Sequence, residues 1–464
     1  MEPKLYLEDT IAAIATPPGR GAIGVIKVSG DKALEILQKI FQPAKPRSHF
    51  ESHRFYYGFV VDPETGEKID EVLVVYMKKP YSYTREDVVE IHAHSGYINL
   101  RKILELVLRE GARPAQPGEF TLRAFLNGRI DLAQAEAIEE IISARSERAL
   151  KLAISGLSGR LSEKVNLLRE KLLFALAQVE SAIDFPEEDI EIMNPPEIIE
   201  LIKREIIPEI EELIQSYEEG KIYREGINLV ISGKPNVGKS SLMNALLKEE
   251  RAIVTPIPGT TRDFLEEEAY LKGLPVKLID TAGLRETEDP VEKIGVERAF
   301  QKLKEADLVL FLIDVTEPPN EEVLNLYEKV KEYPHLTVLN KIDITPNYLE
   351  EWKNFFKNKE EIIEISVKEE INLDLLSQRI YEKIVSEKAT SIPEVVPNLR
   401  QKTALEKAKR HLEDALRELR KKEPLPELVS IEIRSAISAL SEIIGEVTTE
   451  DLLSEIFSRF CIGK

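Results

Sequence analysis

The sequence is short of the features that mark secreted and membrane proteins. Its 464 residues include a single cysteine, Cys461, so no disulfide can form within the chain, which fits a reducing cytoplasm. No apolar run reaches about eighteen residues, so we expect no transmembrane helix. The first residues, MEPKLYLEDT, lack the charged and apolar regions of a signal peptide. These shortages together predict a cytoplasmic protein.

Positive charge is also in short supply, since the chain has a formal net charge of −20. A protein that holds nucleic acid mainly through its overall field is basic. Any RNA contact must therefore use local basic patches, or a partner must supply them. The chain is 43% hydrophobic, enough for sizeable cores, and its length suggests about three domains.

A glycine-rich loop follows a short apolar run, INLVIS, and precedes a helical pattern. Its spacing is G-x-x-x-x-G-K-S, from Gly233 to Ser240. The two glycines, Gly233 and Gly238, allow the backbone N–H groups and the helix N-terminus to face a phosphate. In such a loop Lys239 reaches the β- and γ-phosphates, and the Ser240 hydroxyl binds Mg²⁺.

Later strands add the other parts of a nucleotide site. The strand VKLID ends at Asp280, which is directed toward the metal, and Gly283 can offer its N–H to a γ-phosphate. LTVLNKID ends in Asn-Lys-x-Asp, where the Asp343 carboxylate can accept from guanine N1–H and its amine, which selects GTP over ATP. The last strand, EIIEISVK, brings Ser366, Val367 and Lys368 to the base. These motifs, on alternating strands and helices, predict a doubly wound α/β (Ras-like) GTPase domain.

One position departs from the Ras-like pattern. The residue after Asp-x-x-Gly is Leu284 instead of the glutamine that orients the attacking water. Either the chain hydrolyses GTP poorly, or another group positions the water. Asn236 either caps a turn of the phosphate loop or turns its side-chain oxygen to a monovalent cation that offsets charge on the phosphates. Carbonyls of the loop TPIPGTTRD could complete the cation's shell, and Thr261 could reach Mg²⁺.

The motifs GKPNVGKSS, PGTTRD, DTAGLRE and NKID resemble those of potassium-activated GTPases with a hydrophobic residue after Asp-x-x-Gly. Three flanking stretches narrow the resemblance: TIAAIATPPGRGAIGVIKVSG, RPAQPGEFTLRAFLNGRIDLAQAEAI and FCIGK. With them, the whole chain resembles the MnmE (TrmE) family of GTPases that modify the tRNA wobble uridine.

For the GTPase domain, this resemblance implies that Glu292 orients the water, with Glu286, Glu288 and Glu297 as nearby alternatives. The implied potassium ligands are Asn236, Thr255, Ile257 (through its carbonyl) and Thr260. The expected nucleotide contacts are completed by Val237, Ser241, Pro256, Pro258, Gly259, Thr281, Ala282, Asn340 and Lys341.

For the N-terminal region, the resemblance implies a site for a one-carbon tetrahydrofolate, in the 5-formyl or methylene form. The implied residues are Lys27, Glu90, Arg129 and the last residue, Lys464. Cys461 is either a nucleophile in that site or a small buried residue. His92 and His94 alternate along a strand, but no third ligand follows at a metal-binding spacing, so we expect no metal there.

The predicted organisation has four segments. Residues 1–119 form an N-terminal α+β domain for folate binding and dimerisation, 120–224 the first part of a helical domain, 225–387 the GTPase domain, and 388–464 the second part of the helical domain. Because 388–464 is short for an independent core, we expect it to pack on the helices before residue 225. The GTPase domain would then be an insertion in the helical domain.

The resulting hypothesis is a homodimeric GTP hydrolase that uses Mg²⁺ and K⁺. The resemblance implies that it works in a heterotetramer with a flavin-dependent (MnmG/GidA-like) partner. Together they would add a carboxymethylaminomethyl or aminomethyl group at C5 of the wobble uridine of certain tRNAs. The alternative is a GTP-gated binding factor, for example in ribosome assembly, but neither a KH-type G-x-x-G context nor a basic domain favours it.

Overall fold

A computed structural model describes residues 9–17, 19–47, 49–184, 194–249, 266–280, 303–345, 347–356, 361–388 and 393–464. The chain divides into two compact units. Unit 1 comprises the described residues of 1–142, 156–207 and 403–464, and unit 2 those of 143–155 and 208–402. No helix in these described ranges is both long enough and apolar enough to cross a membrane.

The sheet of unit 1 has seven strands in the order β3-β4-β5-β6-β2-β1-β7. Neighbouring strands are antiparallel except for β1 and β7, which run parallel. The strands are β1 (Ile11–Ile14), β2 (Ile23–Ser29), β3 (Phe41–Pro43), β4 (Arg54–Val61), β5 (Lys68–Met77), β6 (Val88–His94) and β7 (Arg113–Pro114).

One face of this sheet is covered by two amphipathic helices, α1 (Ala33–Ile40) and α2 (Tyr97–Arg109). Apolar residues that alternate along the strands, such as Val72 and Val74 in β5, pack against these helices. The opposite face keeps large apolar side chains exposed, among them Phe55 and Leu73. The region is thus α+β, as the sequence predicts, with one sheet face covered and the other partly bare.

The remaining helices of unit 1 include an antiparallel pair. Helix α14 (Pro426–Ile444) packs along α6 (Arg160–Asp184), and Arg169 Nη1 donates to Glu446 Oε1 over 2.9 Å at one end of the pair. The helices are α3 (Glu119–Leu126), α4 (Leu132–Ser143), α6 (Arg160–Asp184), α7 (Pro195–Glu200), α13 (Leu399–Leu419), α14 (Pro426–Ile444) and α15 (Glu450–Ser458). The last residue of α4 and the first four of α13 belong to unit 2.

A π-helical turn, Leu201–Ile206, lies where the sequence pattern is interrupted by Pro208. Ile207 N donates to Ile202 O, five residues back, in the widened register of a π-helix. Pro208 has no N–H to donate, so it is tolerated only in the first turn of the following helix, α8 (Ile207–Arg224). The boundary between the two units falls at this proline.

Unit 2 is a doubly wound α/β fold, as predicted. Its six strands have the order β13-β12-β11-β8-β10-β9, parallel except for the antiparallel pair β9 and β10. They are β8 (Ile227–Ser232), β9 (Glu266–Leu271), β10 (Leu274–Asp280), β11 (Leu308–Asp314), β12 (His335–Asn340) and β13 (Ile362–Glu364).

Helices cover both faces of this sheet. Leu229 and Ile231 of β8 point to one apolar core, which also contains residues of α9 (Lys239–Glu249) and α12 (Leu373–Lys388). Val230, between them, points to the other core, with α10 (Glu321–Val330) and α11 (Leu349–Phe356). Burial on both faces explains why the strands read as continuous apolar runs.

Unit 2 also contains most of helix α5 (Glu147–Leu157), which lies in the stretch assigned by sequence to the helical domain. Leu152 of this helix is buried in the core of unit 2. The Arg148 guanidinium lies 5.1 Å from the Tyr223 ring and 5.3 Å from the Tyr381 ring, and it donates to both phenol oxygens. The helix is therefore held by an apolar contact and by cation–π contacts.

Candidate functional site

The glycine-rich loop of unit 2 connects buried strand β8 to helix α9, and its glycines are required by close contacts. A Cβ atom on Gly233 would lie 2.4 Å from the Leu312 carbonyl oxygen. Gly238 has φ +102°, and a Cβ atom there would lie 2.6 Å from Asn340 Nδ2. A side chain at either position would displace the loop, so the sequence pattern and the local backbone agree.

Two side chains hold the curve of this loop. Lys239 Nζ donates to the carbonyl oxygens of Gly233 at 2.9 Å and Lys234 at 2.8 Å. Asn236 has a left-handed backbone with φ 64°, a conformation that asparagine tolerates better than most residues. Its carbonyl accepts from Lys341 Nζ at 2.9 Å. The ammonium groups of Lys239 and Lys341 thus lie against the main chain of the loop.

The NKID motif at the end of β12 joins this loop to the last strand. Asn340 Nδ2 donates to Val237 O at 2.8 Å, and Asn340 Oδ1 accepts from Val367 N at 3.2 Å. The buried Ser366 donates its hydroxyl proton to Asp343 Oδ1 at 2.6 Å. One asparagine therefore connects the phosphate loop with the segment expected to contact the base.

The neighbouring Lys341 forms an ion pair with Asp314 at the end of β11, with 2.5 Å between Nζ and Oδ2. Burial alone would raise the pKa of Asp314, but hydrogen bonds from Lys341 and Thr316 outweigh it, so the pKa is lowered. Asp314 therefore stays ionised at neutral pH and fixes the lysine.

We call this region the phosphate-loop corner; it consists of Gly233–Ser240, Asn340, Asp343 and Ser366. An open cavity of about 450 Å³ adjoins this corner. The cavity is lined by Gly238, Ser241, Asn244, Ala245, Lys248, Asn340, Lys341, Asp343, Ile344, Val367, Lys368 and Glu370. This size and polarity suit a nucleotide.

Part of the predicted nucleotide site lies outside the described residues. The predicted positions from 236 to 241, 340, 341, 343 and 366 to 368 come together here. Asp280 ends strand β10 in register with Ile231 of β8, next to the loop. The predicted positions outside the described residues are Thr255, Pro256, Ile257, Pro258, Gly259, Thr260, Thr261, Thr281, Ala282, Gly283 and Glu292, together with the alternatives Glu286, Glu288 and Glu297.

A second polar cluster lies on the less covered sheet face of unit 1. Lys27 of β2 is directly opposite Glu90 of β6. The Lys27 ammonium lies 5.3 Å from the centre of the Tyr83 ring and 5.4 Å from that of Phe120. Burial lowers the pKa of Lys27; Glu90 opposes this effect, and the charge of Lys464 adds to it.

Arg129 approaches the same tyrosine from the end of α3. Its guanidinium carbon lies 4.7 Å from the centre of the Tyr83 ring. The phenol of Tyr83 shares a 2.8 Å hydrogen bond with Thr121. Burial raises the pKa of Tyr83, although Thr121 and Arg129 act against it, so the phenol stays protonated at neutral pH.

The C-terminal residues reach this cluster as well. Phe120 N donates to Lys464 O at 3.1 Å, and Gly118 N donates to Cys461 O at 3.4 Å. Gly463 has φ +95°, and a Cβ atom there would lie 2.8 Å from the Ala15 Cα atom. The Cys461 side chain is exposed. We call Lys27, Tyr83, Arg129 and Lys464 the cationic corner.

The structure thus brings together all four residues that the resemblance implied for a folate site. It adds Tyr83 and Phe120, which the sequence analysis missed, because nothing in their local sequence marks them.

The two strand histidines contact carboxylates: His92 Nε2 lies 3.2 Å from Glu90 Oε2, and His94 Nδ1 lies 2.8 Å from Asp70 Oδ1.

Comparison with known proteins covers the whole chain. Residues 10–129 match the family described as GTP-binding protein TrmE N-terminus, and residues 132–461 match the MnmE helical domain. A tRNA modification GTPase MnmE from Desulforamulus reducens is 51% identical over 99% of this chain and 100% of its own length. Its counterpart from Aquifex aeolicus is 47% identical, with the same coverage of both chains. Among solved structures, the G domain of the T. maritima FeoB iron transporter is 28% identical over 34% of this chain and 98% of its own, with a TM-score of 0.26.

Proposed function

The chain belongs to the MnmE family of tRNA modification GTPases, and from that premise we propose a potassium-activated GTPase that acts with a flavin-containing partner. The pair uses a one-carbon tetrahydrofolate to add a carboxymethylaminomethyl or aminomethyl group at C5 of the wobble uridine of certain tRNAs. The observation that carries the proposal is the presence of two separate polar corners in one chain, one suited to a nucleotide and one to a polyanionic ligand.

The phosphate-loop corner supports recognition of GTP. The Asp343 carboxylate is held by Ser366 at 2.6 Å, so it is oriented before the guanine base arrives. Asn340 holds the loop through Val237 O. Because the same asparagine also accepts from Val367 N, base binding and phosphate binding share one rigid support.

The donors in this corner also suit Mg²⁺ and K⁺. The Ser240 hydroxyl, at the start of α9, would supply an oxygen ligand of the kind that Mg²⁺ prefers, and Asp280, at the end of the adjacent strand β10, would act on the ion through a water. Thr261 is proposed as a further Mg²⁺ ligand. The proposed K⁺ ligands are Asn236, Thr255, Ile257 and Thr260. A bound K⁺ would supply positive charge near the phosphates during hydrolysis.

Leu284 has no polar atom in its side chain, so another residue must orient the attacking water. We assign that role to Glu292, the position that matches the water-orienting glutamate of the family. Lys239 holds the β- and γ-phosphates with its ammonium. A carboxylate can accept a proton from water or hold the water by a hydrogen bond, and such groups contribute about 10²- to 10⁴-fold to rate. The loss expected on removing Glu292 follows from this range.

The cationic corner supports a folate site because its donors match that ligand. A folate has glutamate carboxylates and a flat pterin edge with hydrogen-bond donors and acceptors. Lys27, Arg129 and Lys464 supply cations for the carboxylates, and Glu90 supplies an acceptor. The Tyr83 ring, which has Lys27 at 5.3 Å and Arg129 at 4.7 Å, offers a surface for a flat ring system. Cys461 is the candidate nucleophile here, since its thiol is exposed.

Dimerisation through the N-terminal domain is supported by the less covered sheet face of unit 1. Exposed fractions there are 55% for Phe55, 49% for Tyr57 and 46% for Leu73. Tyr57 of β4 pairs directly with Leu73 of β5. Phe55 lies two residues before Tyr57 on the same strand and pairs with Val75, so it is diagonal to Leu73. A contiguous apolar face of this kind is typical of a protein interface.

We also propose that the GTPase domain, residues 225–387, is inserted in one helical domain. The packing of α14 on α6 supports this proposal, because it joins the chain before the GTPase domain to the chain after it. GTP hydrolysis would then act on the helices from both ends of the insertion.

The first test is GTP turnover by the full chain in K⁺ and in Na⁺ at equal ionic strength. We expect turnover to be at least about tenfold higher in K⁺, and Asn236→Ala to remove most of that gain. Asn325→Ala, at an exposed asparagine of α10 in unit 2, serves as the control. Equal slow rates in both salts would contradict the cation site.

Two further measurements test the remaining roles. Glu292→Ala should lower turnover by about 100-fold and keep GTP affinity, whereas the control Glu321→Ala should change neither. The folate part is tested by titration with 5-formyltetrahydrofolate. Absence of binding at millimolar ligand would contradict it, whatever the result with GTP.

A further inference from the structure

A short basic stretch covers the last turn of helix α13 and the three residues after it. The chain as a whole has a net charge of −20. The residues 417–422, RELRKK, contain four cations in six positions: Arg417, Arg420, Lys421 and Lys422. All four side chains are exposed. Arg410, also exposed, lies seven residues before Arg417 and therefore on the same face of the helix.

The one acidic residue in this stretch, Glu418, is turned inward and is only 7% exposed. Its Oε1 atom accepts from Leu425 N at 3.2 Å, and its Oε2 atom lies 2.5 Å from Lys421 Nζ. Through these two contacts, Glu418 fixes the turn between α13 and α14 from its buried side. The turn has a fixed shape, and its outer surface presents cations together with the exposed Glu423.

The ion pairs of α13 differ between its two halves. Lys402, Lys407 and Lys409 pair with Glu218, Glu442 and Glu413 respectively. Toward the end, Arg417 pairs with Asp414 on its own helix. Arg410, Arg420 and Lys422 form no ion pair with any residue in the described ranges. Cations without an ion pair in the described ranges thus lie toward the C-terminal end of α13 and in the turn after it, where Asp414 and Glu418 pair with Arg417 and Lys421.

A helix C-terminus by itself favours cations, by about 0.3–1 kcal/mol each. That effect explains Arg417, which lies in the last turn of α13. It falls off within one turn, so it does not explain why Lys422 follows Arg420 and Lys421 beyond the helix end.

We propose that this basic end of α13, defined as Arg410, Arg417, Arg420, Lys421 and Lys422, contacts the sugar–phosphate backbone of the tRNA substrate. The inference rests on the proposed function for its choice of ligand. Arg410, Arg420 and Lys422 form no ion pair in the described ranges and are available to phosphates, while Arg417 and Lys421, which pair with Asp414 and Glu418, lie beside them. Each phosphate contact releases bound counterions. Screening over about 8 Å at physiological salt lets a local patch act despite the negative charge of the whole chain.

The dimensions also fit a nucleic-acid strand. Arg410 and Arg417 are separated by about 10 Å along the helix axis, at about 1.5 Å per residue. A nucleic-acid strand carries a phosphate about every 3.4 Å of its axis, so the patch faces several phosphates at once. Such contacts hold and orient the RNA without reading its sequence.

The test is tRNA binding by the full chain, followed by fluorescence anisotropy between 50 and 200 mM KCl. The triple variant Arg417→Gln, Arg420→Gln, Lys422→Gln removes three charges from the patch. We expect the slope of log affinity against log salt to fall by about two to three, and affinity at 100 mM KCl to fall at least about tenfold. The control removes three cations elsewhere in unit 1: Lys39→Gln, Arg101→Gln, Lys102→Gln. Both triple variants should hydrolyse GTP like the unaltered chain, which shows that they are folded.

An unchanged slope and affinity in the patch variant would overturn the inference. So would an equal loss in the control, which would indicate a general charge effect, and so would undetectable tRNA binding by the unaltered chain. Normal tRNA binding with loss of flavoprotein binding would overturn it in favour of a protein partner. The proposed function fails separately, if the unaltered chain with its flavoprotein leaves the wobble uridine unmodified.

Discussion

The phosphate-loop corner in unit 2 is held mainly by hydrogen bonds to the main chain, whereas the cationic corner in unit 1 is built from charges and rings on side chains. In the first, Lys239 and Asn340 bind carbonyls of a loop only a few residues long. In the second, Lys27, Tyr83, Arg129 and Lys464 come from distant parts of the sequence.

This difference determines how each corner can fail. A local backbone shape is lost when one residue no longer fits its φ and ψ angles or collides with its neighbour. An assembly of distant side chains is lost when one charge is removed or when one element moves away. A substitution in one corner should therefore weaken binding of that corner's ligand and leave binding of the other ligand unchanged.

The largest effect is expected from Gly238→Ala. The added methyl group would collide with Asn340 Nδ2 and impose φ +102° on alanine, so the loop would move away from the NKID motif. GTP affinity should fall by at least about 100-fold, since several hydrogen bonds to phosphate are lost together. Folate binding should be unchanged. Titration with a fluorescent GTP analogue measures the loss.

The matched control is Gly273→Ala in the same unit. Gly273 also has a positive φ, +77°, but no atom within 4 Å of an added Cβ. The Gly273→Ala variant should lose about 1 kcal/mol of stability from backbone strain and keep its GTP affinity. Equal losses in the two variants would show that strain, and not the contact with Asn340, weakens GTP binding.

A smaller effect, on folate affinity, is expected from Lys27→Met. Loss of one charged partner should weaken 5-formyltetrahydrofolate binding by about 10- to 100-fold, with GTP turnover unchanged. Isothermal titration calorimetry measures the change. The control is Lys68→Met, because Lys68 is a lysine of the same sheet that lies 4.1 Å from the Phe59 ring and outside the cationic corner. Equal losses would contradict a specific role for Lys27.

The same variant should be more stable than the unaltered chain. Burial lowers the pKa of Lys27, so the charged form is disfavoured in the folded state, and removing it should raise the Tm of unit 1 by about 2 °C. As pH rises from the lowered pKa of the folded state to about 10.5, the unfolded state binds more protons. The unaltered chain therefore gains stability there, and the difference in Tm should shrink. Thermal unfolding at pH 7 and pH 10 tests this; a difference that grows with pH would contradict it.

The smallest effect on ligand affinity is expected from Gly463→Ala. An added methyl group would collide with Ala15 and push the C-terminal residues away from the sheet. Folate affinity should fall by about tenfold, since only Lys464 leaves the corner. Gly66→Ala, with φ +69° and open space around it, is the control. A loss of GTP affinity in Gly463→Ala would break the separation between the two corners.

The sequence predicts the phosphate-loop corner well, because its residues are consecutive within short motifs. Gly233, Gly238 and Lys239 follow a spacing that the backbone geometry itself requires, and the doubly wound sheet is confirmed. The cationic corner is different. Lys27 and Glu90 face each other only because β2 and β6 pair in one register, and nothing local in the sequence specifies that pairing. Their grouping came from the family resemblance, which the comparisons confirm.

Other features escaped the sequence for related reasons. Tyr83 lies in an irregular loop without periodicity, so its ring between two cations has no local signal. Helix α5 is amphipathic like its neighbours. Its pattern predicts that one face is buried but does not specify which part of the protein covers that face. Only the tertiary contacts of Leu152 and Arg148 place that helix in unit 2.

The position of α5 has a practical meaning for anyone who wishes to excise or transplant the GTPase. A fragment cut at residues 208 and 402 would contain every strand of that sheet but would lack residues 143–155, which complete the unit. The cut would leave Tyr223 and Tyr381 without the Arg148 guanidinium and expose the apolar surface that Leu152 covers. A portable version of this GTPase should therefore include α5, fused as an extra segment or supplied as a peptide.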